Sequence, residues 1–441
     1  MLRLLTGSTI VRISGAIAQL MMVMAISRAS DSETAGFVFF GYSILMISST
    51  IARFGTELSG LRVAAQQFEA GDLERLRESS RVRVLTVAAL GLATSVLLLT
   101  LGPLIAQRTF GPEIVVVIRW TALAIPAMTI LGLISELLKG AGRAWLGLAL
   151  QNSLVPILST PVILIIAIDG APTARSVALV IAVAAWIAAL SAISFWLRTI
   201  GYSLRQWTVR SELSKREIAG LFREAPALLI VSATPVTMQW VGSILLGFLA
   251  APGDVAGYSV AARISIAVSI VHSAAASVVG PQMAIAHDRL DSLRLRRLCI
   301  QTGLLITVLT LPILIAMLAL SSPTMGLFGE SYSDFDGALR ILLAGQLFAA
   351  AVGHSGMVLV MAGKYSSARA TSLVAAGSLA GFDLVLIPRY GASGAAAAMV
   401  GSVVLGHLAA VVLVRIKLKI WTFPTSIADI SGALPGVRFR P

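Results

Sequence analysis

Twelve apolar runs, each long enough to cross a hydrocarbon layer of about 30 Å, divide this 441-residue chain. They fall at 8–28, 36–56, 82–106, 114–139, 144–168 and 174–198, and again at 222–250, 256–280, 297–321, 335–362, 366–388 and 392–416. Runs of this length read as membrane-crossing helices. The expectation is an all-α, polytopic membrane protein of about twelve transmembrane helices in two pseudo-symmetric six-helix lobes. Composition agrees, because 57% hydrophobic against 12% charged residues exceeds what a soluble chain can hide in its interior. Residues 13–26, with 25–30 behind them, have the form of a signal peptide and its cleavage region, but eleven further apolar segments favour an uncleaved first helix.

The two sets of six repeat one another. Ala141-Gly142-Arg143 returns as Ala362-Gly363-Lys364, Ala35-Gly36-Phe37 as Ala256-Gly257-Tyr258, Ile118-Arg119 as Leu339-Arg340, and Gly170 as Gly391, all 221 residues apart. Self-similarity at one offset across half a chain is an internal duplication. An even number of spans per copy keeps both copies in the same orientation, so the halves are parallel rather than inverted. The predicted organisation is an N-terminal lobe at 1–205, a cytoplasmic inter-lobe linker at 206–221, a C-terminal lobe at 222–420 and a cytoplasmic tail at 421–441.

Orientation follows from the basic residues, which cytoplasmic segments retain in excess. The net charge of +13 resides in short stretches between apolar runs, so it speaks about topology and anionic ligands rather than nucleic acid. Loops 57–81, 199–221 and 281–296 carry Arg62, Arg75, Arg77, Arg81, Arg205, Arg210, Lys215, Arg216, Arg289, Arg294 and Arg296, while the opposite loops are short and poor in positive charge. Both termini are therefore expected in the cytoplasm, with Arg143 and Lys364 at tight cytoplasmic turns. Acidic residues mixed into 57–81 and 199–221 suggest amphipathic helices along that surface, or solvated loops. The single cysteine, Cys299, rules out an intramolecular disulfide, and the four histidines show no metal-ligand spacing. No cofactor and no metal are expected.

Functional weight rests on ionisable residues inside spans, each costing roughly 2.5–3.5 kcal/mol at a helix centre on insertion scales. Arg12, Arg53 and Arg263 qualify. Ser8, Arg12, Gly15 and Gln19 follow steps of four, three and four, which places them on one face of the first span, and Ser232, Gln239 and Ser243 make a similar stripe on the seventh. Pro235 aligns with Ser14, beside Gly15, so both helices have a bend-prone point and Gly15 and Pro235 are candidate gate hinges. Arg53 either lines a cavity or turns to the interface or to Glu57, four residues on; Arg263 lines a cavity or reaches outward. Glu136 and Asp383 are either paired near helix ends or candidate ion-coupling groups, and His354 and His407 are candidate pH switches. A cavity rich in guanidinium and poor in carboxylate suits phosphate or pyrophosphate, which accepts two parallel charge-assisted bonds.

The stretch FDLVLIPRYGASGAAAAMV at 382–400 and AGFVFFGYSILMISSTIARFG near the start resemble oligosaccharide (O-antigen or surface-polysaccharide) flippases of the multidrug/oligosaccharidyl-lipid/polysaccharide exporter superfamily. A polar residue such as Asn usually stands in that family where this chain has Asp383. In the related lipid II flippases, arginines of spans 1, 2 and 8 bind the pyrophosphate, which implies that role for Arg12, Arg53 and Arg263; the absence of two further C-terminal spans favours a surface-polysaccharide cargo. The resemblance implies a flippase that carries an undecaprenyl-pyrophosphate-linked oligosaccharide from the inner to the outer leaflet by alternating access. Gln19, Gln239 and neighbouring hydroxyls such as Ser8 would meet sugar. Expected partners are the lipid-linked oligosaccharide, membrane lipids, and the polymerase and glycosyltransferases of the same pathway, with no nucleic acid. The alternative is a multidrug and toxin extrusion cation antiporter, which calls for acidic cavity residues. A membrane-embedded glycan polymerase or ligase needs a chemical centre that the sequence does not display, so no enzyme is expected.

Overall fold

The protein is described here by a computed structural model covering residues 2–110, 112–201, 215–269, 279–280, 282–353 and 355–424, with the side chains of 2–9, 104–110, 112, 215–224 and 227 outside that description. Most of the expected linker and tail, together with His354 and the Ser8 side chain, thus lie outside the described residues. The described backbone is built of helices. By contacts the chain divides into two compact units, Met1–Ala256 and Gly257–Pro441.

The first unit contains α1 (Leu2–Ala29), α2 (Ser32–Arg53), α3 (Thr56–Glu69), α4 (Leu73–Phe110), α5 (Pro112–Gly140), α6 (Ala144–Asn152), α7 (Leu154–Ile168), α8 (Ala174–Thr199) and α9 (Lys215–Leu249), and ends within α10 (Pro252–Val268). Helix α5 is its centre: it packs on α2, α3, α4, α6 and α8, and Ile125, Leu131, Leu133 and Leu138 are sealed from solvent. Helix α9 packs on α2 and α3, so the seventh span groups with the first six. Asp31 caps α2 by accepting from the Thr34 amide at 3.2 Å. Partial burial raises its carboxyl pKa, but the hydrogen bonds from Thr34 outweigh that and hold it below the usual value.

Two prolines shape the interior by each leaving a carbonyl without its helical donor. Pro126 in α5 has no N–H to offer the carbonyl of Ala122, and Ser95 of α4 donates to that oxygen at 2.6 Å instead. The fifth apolar run is divided at Ser153 into α6 and α7, and Pro156 leaves the carbonyl of Asn152 without its helical donor. The side-chain amide of Gln19 takes that place at 3.4 Å.

The second unit comprises the rest of α10, α11 (Ser292–Ala319), α12 (Ser321–Gly326), a 3₁₀ turn (Glu330–Phe335), α13 (Asp336–Val352), α14 (Ser355–Met361) and α15 (Tyr365–Leu418). Helix α15 is two helices joined at a kink, where Gly391 sits at φ 52°, ψ −129°, behind Pro388, and divides it into two spans. Lys419, at φ 58°, turns the chain back so that Ile420 and Thr422 are buried, and the Thr422 hydroxyl meets that of Ser355 at 2.9 Å.

Ten helices among the described residues are long and apolar enough to cross a membrane. The last of these, Tyr365–Leu418, holds two spans, and α10 falls in the expected eighth apolar run, 256–280. The all-α polytopic plan of about twelve spans therefore stands.

Candidate functional site

The first unit encloses a cavity of about 200 Å³ between α1, α2, α5, α6, α7 and α9. Three residues singled out in the sequence line it: Arg53 from α2, Gln19 from α1 and Gln239 from α9. Around them stand the amides of Gln151 and Asn152, the hydroxyls of Ser49 and Thr50, and the rings of Tyr42 and Trp240, which meet edge to face with centroids 5.3 Å apart. This is smaller than the roughly 300–1,000 Å³ of pockets that engulf a drug-sized ligand. Its chemistry is one guanidinium, several amides and an aromatic wall.

Arg53 ends α2, and its guanidinium points inward for local reasons. Phe54 and Gly55 both adopt left-handed backbone conformations, φ 52° and 72°, and turn the chain sharply into α3. A side chain on Gly55 would meet the backbone of Leu228 and Leu229 within 2.8 Å, so only glycine fits that corner. Arg53 donates from Nη2 to the Thr50 hydroxyl at 2.8 Å, and its Nε lies 3.7 Å from Glu57 Oε1. Nη1 occupies the space left by Gly132 on α5, where a Cβ would stand 2.5 Å away. Both alternatives seen in the sequence are realised together: Arg53 lines the cavity and faces Glu57.

Glu136 is paired. Lys139 donates to it at 2.7 Å and to Gln151 Oε1 at 2.6 Å, so the lysine couples the acid to the cavity wall while neutralising it. Arg12 lies outside the cavity lining; it is exposed, flanked by exposed Ile10, Ile13 and Ile17. Gly15, on the same stripe, is pressed against Asn152 and Ser153, where a Cβ would come within 3.1 Å. Helices α1 and α9 run on through Gly15 and Pro235. Arg263 belongs to the second unit, half-buried on α10, within electrostatic reach of Tyr258, as is Asp383. Asp383 is fully buried on α15, and neither of its carboxylate oxygens has a hydrogen-bond partner among the described residues.

Sequence reasoning missed Gly132, Lys139, Asn152, Tyr42 and Trp240. Pro156 was a readable signal for Asn152, since a proline inside an apolar run must orphan a carbonyl four residues before it. The others carry no local signal, because their roles depend on which helix lies opposite.

Comparison with solved structures identifies the fold. An inward-facing multidrug resistance MATE family transporter of the MOP superfamily superposes with a TM-score of 0.71 at 15% identity, over 93% of this chain and 98% of its own. The lipid II flippase MurJ, in an inward closed conformation, gives 0.72 at 14% identity, over 96% and 89%. A MOP superfamily transporter from Pyrococcus furiosus, described as having a binding pocket of reverse polarity, gives 0.57 at 14%, over 94% and 95%. At these identities the likeness is one of fold, that of the MOP superfamily transporters. The profile of a polysaccharide biosynthesis protein family matches residues 5–287, and the chain belongs to that family. No curated protein sequence matches it.

Proposed function

We propose that this protein flips an undecaprenyl-pyrophosphate-linked oligosaccharide from the inner to the outer leaflet of the bacterial cytoplasmic membrane by alternating access. The observation that carries the proposal is the largely buried guanidinium of Arg53 in a cavity that also presents amides, hydroxyls and a tyrosine–tryptophan pair among apolar residues such as Met46, Leu131 and Val155. A guanidinium binds a pyrophosphate through parallel charge-assisted bonds. Amides hydrogen-bond sugar hydroxyls, and aromatic faces cover the apolar faces of sugar rings. Family membership in polysaccharide biosynthesis and a fold shared with a lipid II flippase support the same cargo class.

Arg53 is the primary pyrophosphate group in this reading, with Gln19 and Gln239 meeting sugar. Arg12 and Arg263 join it at other stages of the cycle, Gly15 and Pro235 serve as hinges, and Asp383 is the ion-coupling candidate, Glu136 being held by Lys139. Both termini face the cytoplasm, and the pathway's glycosyltransferases and polymerase work on either side of the step. Extrusion of organic cations is the competing reading, supported by the MATE fold; a guanidinium in the cavity opposes it, since it repels such cargo.

Arg53→Ala should abolish surface glycan while leaving the protein's membrane level unchanged by immunoblot, and Arg53→Lys should restore only part, because an ammonium lacks the planar fork. Normal glycan display in Arg53→Ala, Arg12→Ala and Arg263→Ala would overturn the proposal. Drug hypersensitivity of a deletion strain with intact glycan would select the extrusion reading.

A further inference from the structure

We infer that Glu57 is a resident competitor for Arg53: it occupies the guanidinium while the cavity is empty and yields it to an oxyanion of the cargo. The inference rests on Arg53 being the anion-binding group, as proposed above. Each nitrogen of that guanidinium has a distinct surrounding. Nη2 is satisfied by Thr50, Nη1 lies over Gly132, and Nε is aimed at Glu57 Oε1 from 3.7 Å, a distance at which the charges attract but no hydrogen bond closes. The two side chains are 12% and 6% exposed, and neither Nε nor either oxygen of Glu57 has a hydrogen-bond partner among the described residues.

Buried charged groups in proteins are ordinarily hydrogen-bonded, because desolvation without a bond is costly. A carboxylate with both oxygens unbonded, beside a guanidinium with an unbonded Nε, is therefore an unfinished arrangement. It is also a preorganised one. The two left-handed residues at Phe54 and Gly55 place Glu57 in the first turn of α3, and Thr56 ties the corner by donating its hydroxyl to the Arg53 carbonyl at 2.6 Å. The other acid within electrostatic reach of Arg53 is Glu136, which is engaged by Lys139. Glu57 is thus the acid free to stand in for a ligand.

An oxyanion entering the cavity offers two oxygens in the plane of the fork and takes Nε away from Glu57. The carboxylate lowers affinity for the headgroup, and it also gives the guanidinium somewhere to go when the cargo leaves. Without it the anion stays longer. Glu57 is accordingly a positioning residue whose removal tightens binding and slows export, a pairing that a merely structural residue would not produce.

The test measures binding of inorganic pyrophosphate by calorimetry to the purified full chain in detergent, for the wild type, Glu57→Gln, Arg53→Ala and Glu136→Gln, each accepted on a single size-exclusion peak, with Arg53→Gln replacing Arg53→Ala if that variant aggregates. Glu57→Gln should bind about three- to tenfold more tightly, the scale of a lost competing ion pair, and should export less surface glycan in cells. Arg53→Ala should lose binding, and Glu136→Gln, which leaves the Lys139 ammonium uncompensated at the cavity wall, reports the effect of net charge and should tighten binding less than Glu57→Gln. Loss of binding in Arg53→Ala with Glu57→Gln equal to or weaker than the wild type overturns the competitor and leaves the anion site standing. Equal tightening in Glu57→Gln and Glu136→Gln overturns it as well, because net charge alone then accounts for the effect. If Arg53→Ala binds like the wild type, or the wild type does not bind pyrophosphate, the anion reading itself falls and Glu57 with it.

Discussion

Arg53 shows how little room a functional side chain has in a helical interior. Its Nη1 occupies a place that exists because residue 132 has no Cβ, so the guanidinium that lines the cavity depends on a glycine of another helix. Gly132→Ala adds a methyl group that α5 itself welcomes, since alanine is favoured over glycine in a helix by about 1 kcal/mol. The same methyl displaces the guanidinium. Thermal stability should hold or rise slightly while glycan export falls about tenfold, the cost of roughly 1.4 kcal/mol in a misplaced binding group; unchanged export would show that Arg53 has freedom to rearrange. Asn152 makes the same point from the backbone side. Its carbonyl is available to Gln19 because Pro156 has no hydrogen to give it, and Gly15 lets α1 approach closely enough for the contact.

At the level of elements, the duplication is written in matching turns. The Arg143 amide reaches the Leu138 carbonyl at 2.9 Å and Gly142 reaches Lys139 at 3.2 Å; the Lys364 amide reaches Leu359 at 2.8 Å and Gly363 reaches Val360 at 3.0 Å. Both are six-to-one helix ends with a left-handed glycine, φ 76° and 67°. The recurring small-small-basic triplet is therefore explained by backbone geometry. A second pair of like turns, 219 rather than 221 residues apart, escaped the sequence. Gly71 ends α3 in this way, with the Asp72 amide reaching Gln67, and in the later copy the Asp291 amide reaches Ala286 while Leu290 holds the left-handed position at φ 56°. Leu290 is 87% exposed, so its side chain contributes little packing to offset the strain. A left-handed residue with a Cβ costs about 1–2 kcal/mol, of which glycine's greater freedom in the unfolded chain cancels about half. Leu290→Gly should then stabilise the protein by about 0.5–1 kcal/mol, seen as a higher Tm in detergent. A lower Tm would mean that Leu290 is held by a contact of its own.

At the scale of the whole molecule, the parallel duplication expected from the sequence has its consequence in membrane topology. Cys299 is buried, so the wild type should resist maleimide labelling and a Cys299→Ala background is suited to scanning. In that background cysteines at exposed Arg143 and Lys364 should react with a membrane-permeant reagent and be protected from an impermeant one in intact cells, whereas cysteines at exposed Asp169 and Arg389 should react with both. Opposite accessibility at Arg143 and Lys364 would contradict the parallel orientation of the two copies.

Apolar run length, the 221-residue offset and the glycines at turns were legible in the sequence because each acts through its own segment: hydrocarbon thickness sets helix length, and a left-handed corner selects glycine whatever packs beside it. The inclusion of Arg53, Gln19 and Gln239 in one cavity was legible in part, as polar residues that a membrane span tolerates only when something receives them. What only the tertiary structure decided is which of these meet. Arg12, indistinguishable from Arg53 by composition, stays outside the cavity lining; Glu136 is claimed by Lys139 while Glu57 is left without a hydrogen bond. Those outcomes depend on residues brought from other helices, such as Gly132 across from Arg53 and Trp240 beside Tyr42, and no pattern along a single helix encodes the face it will meet.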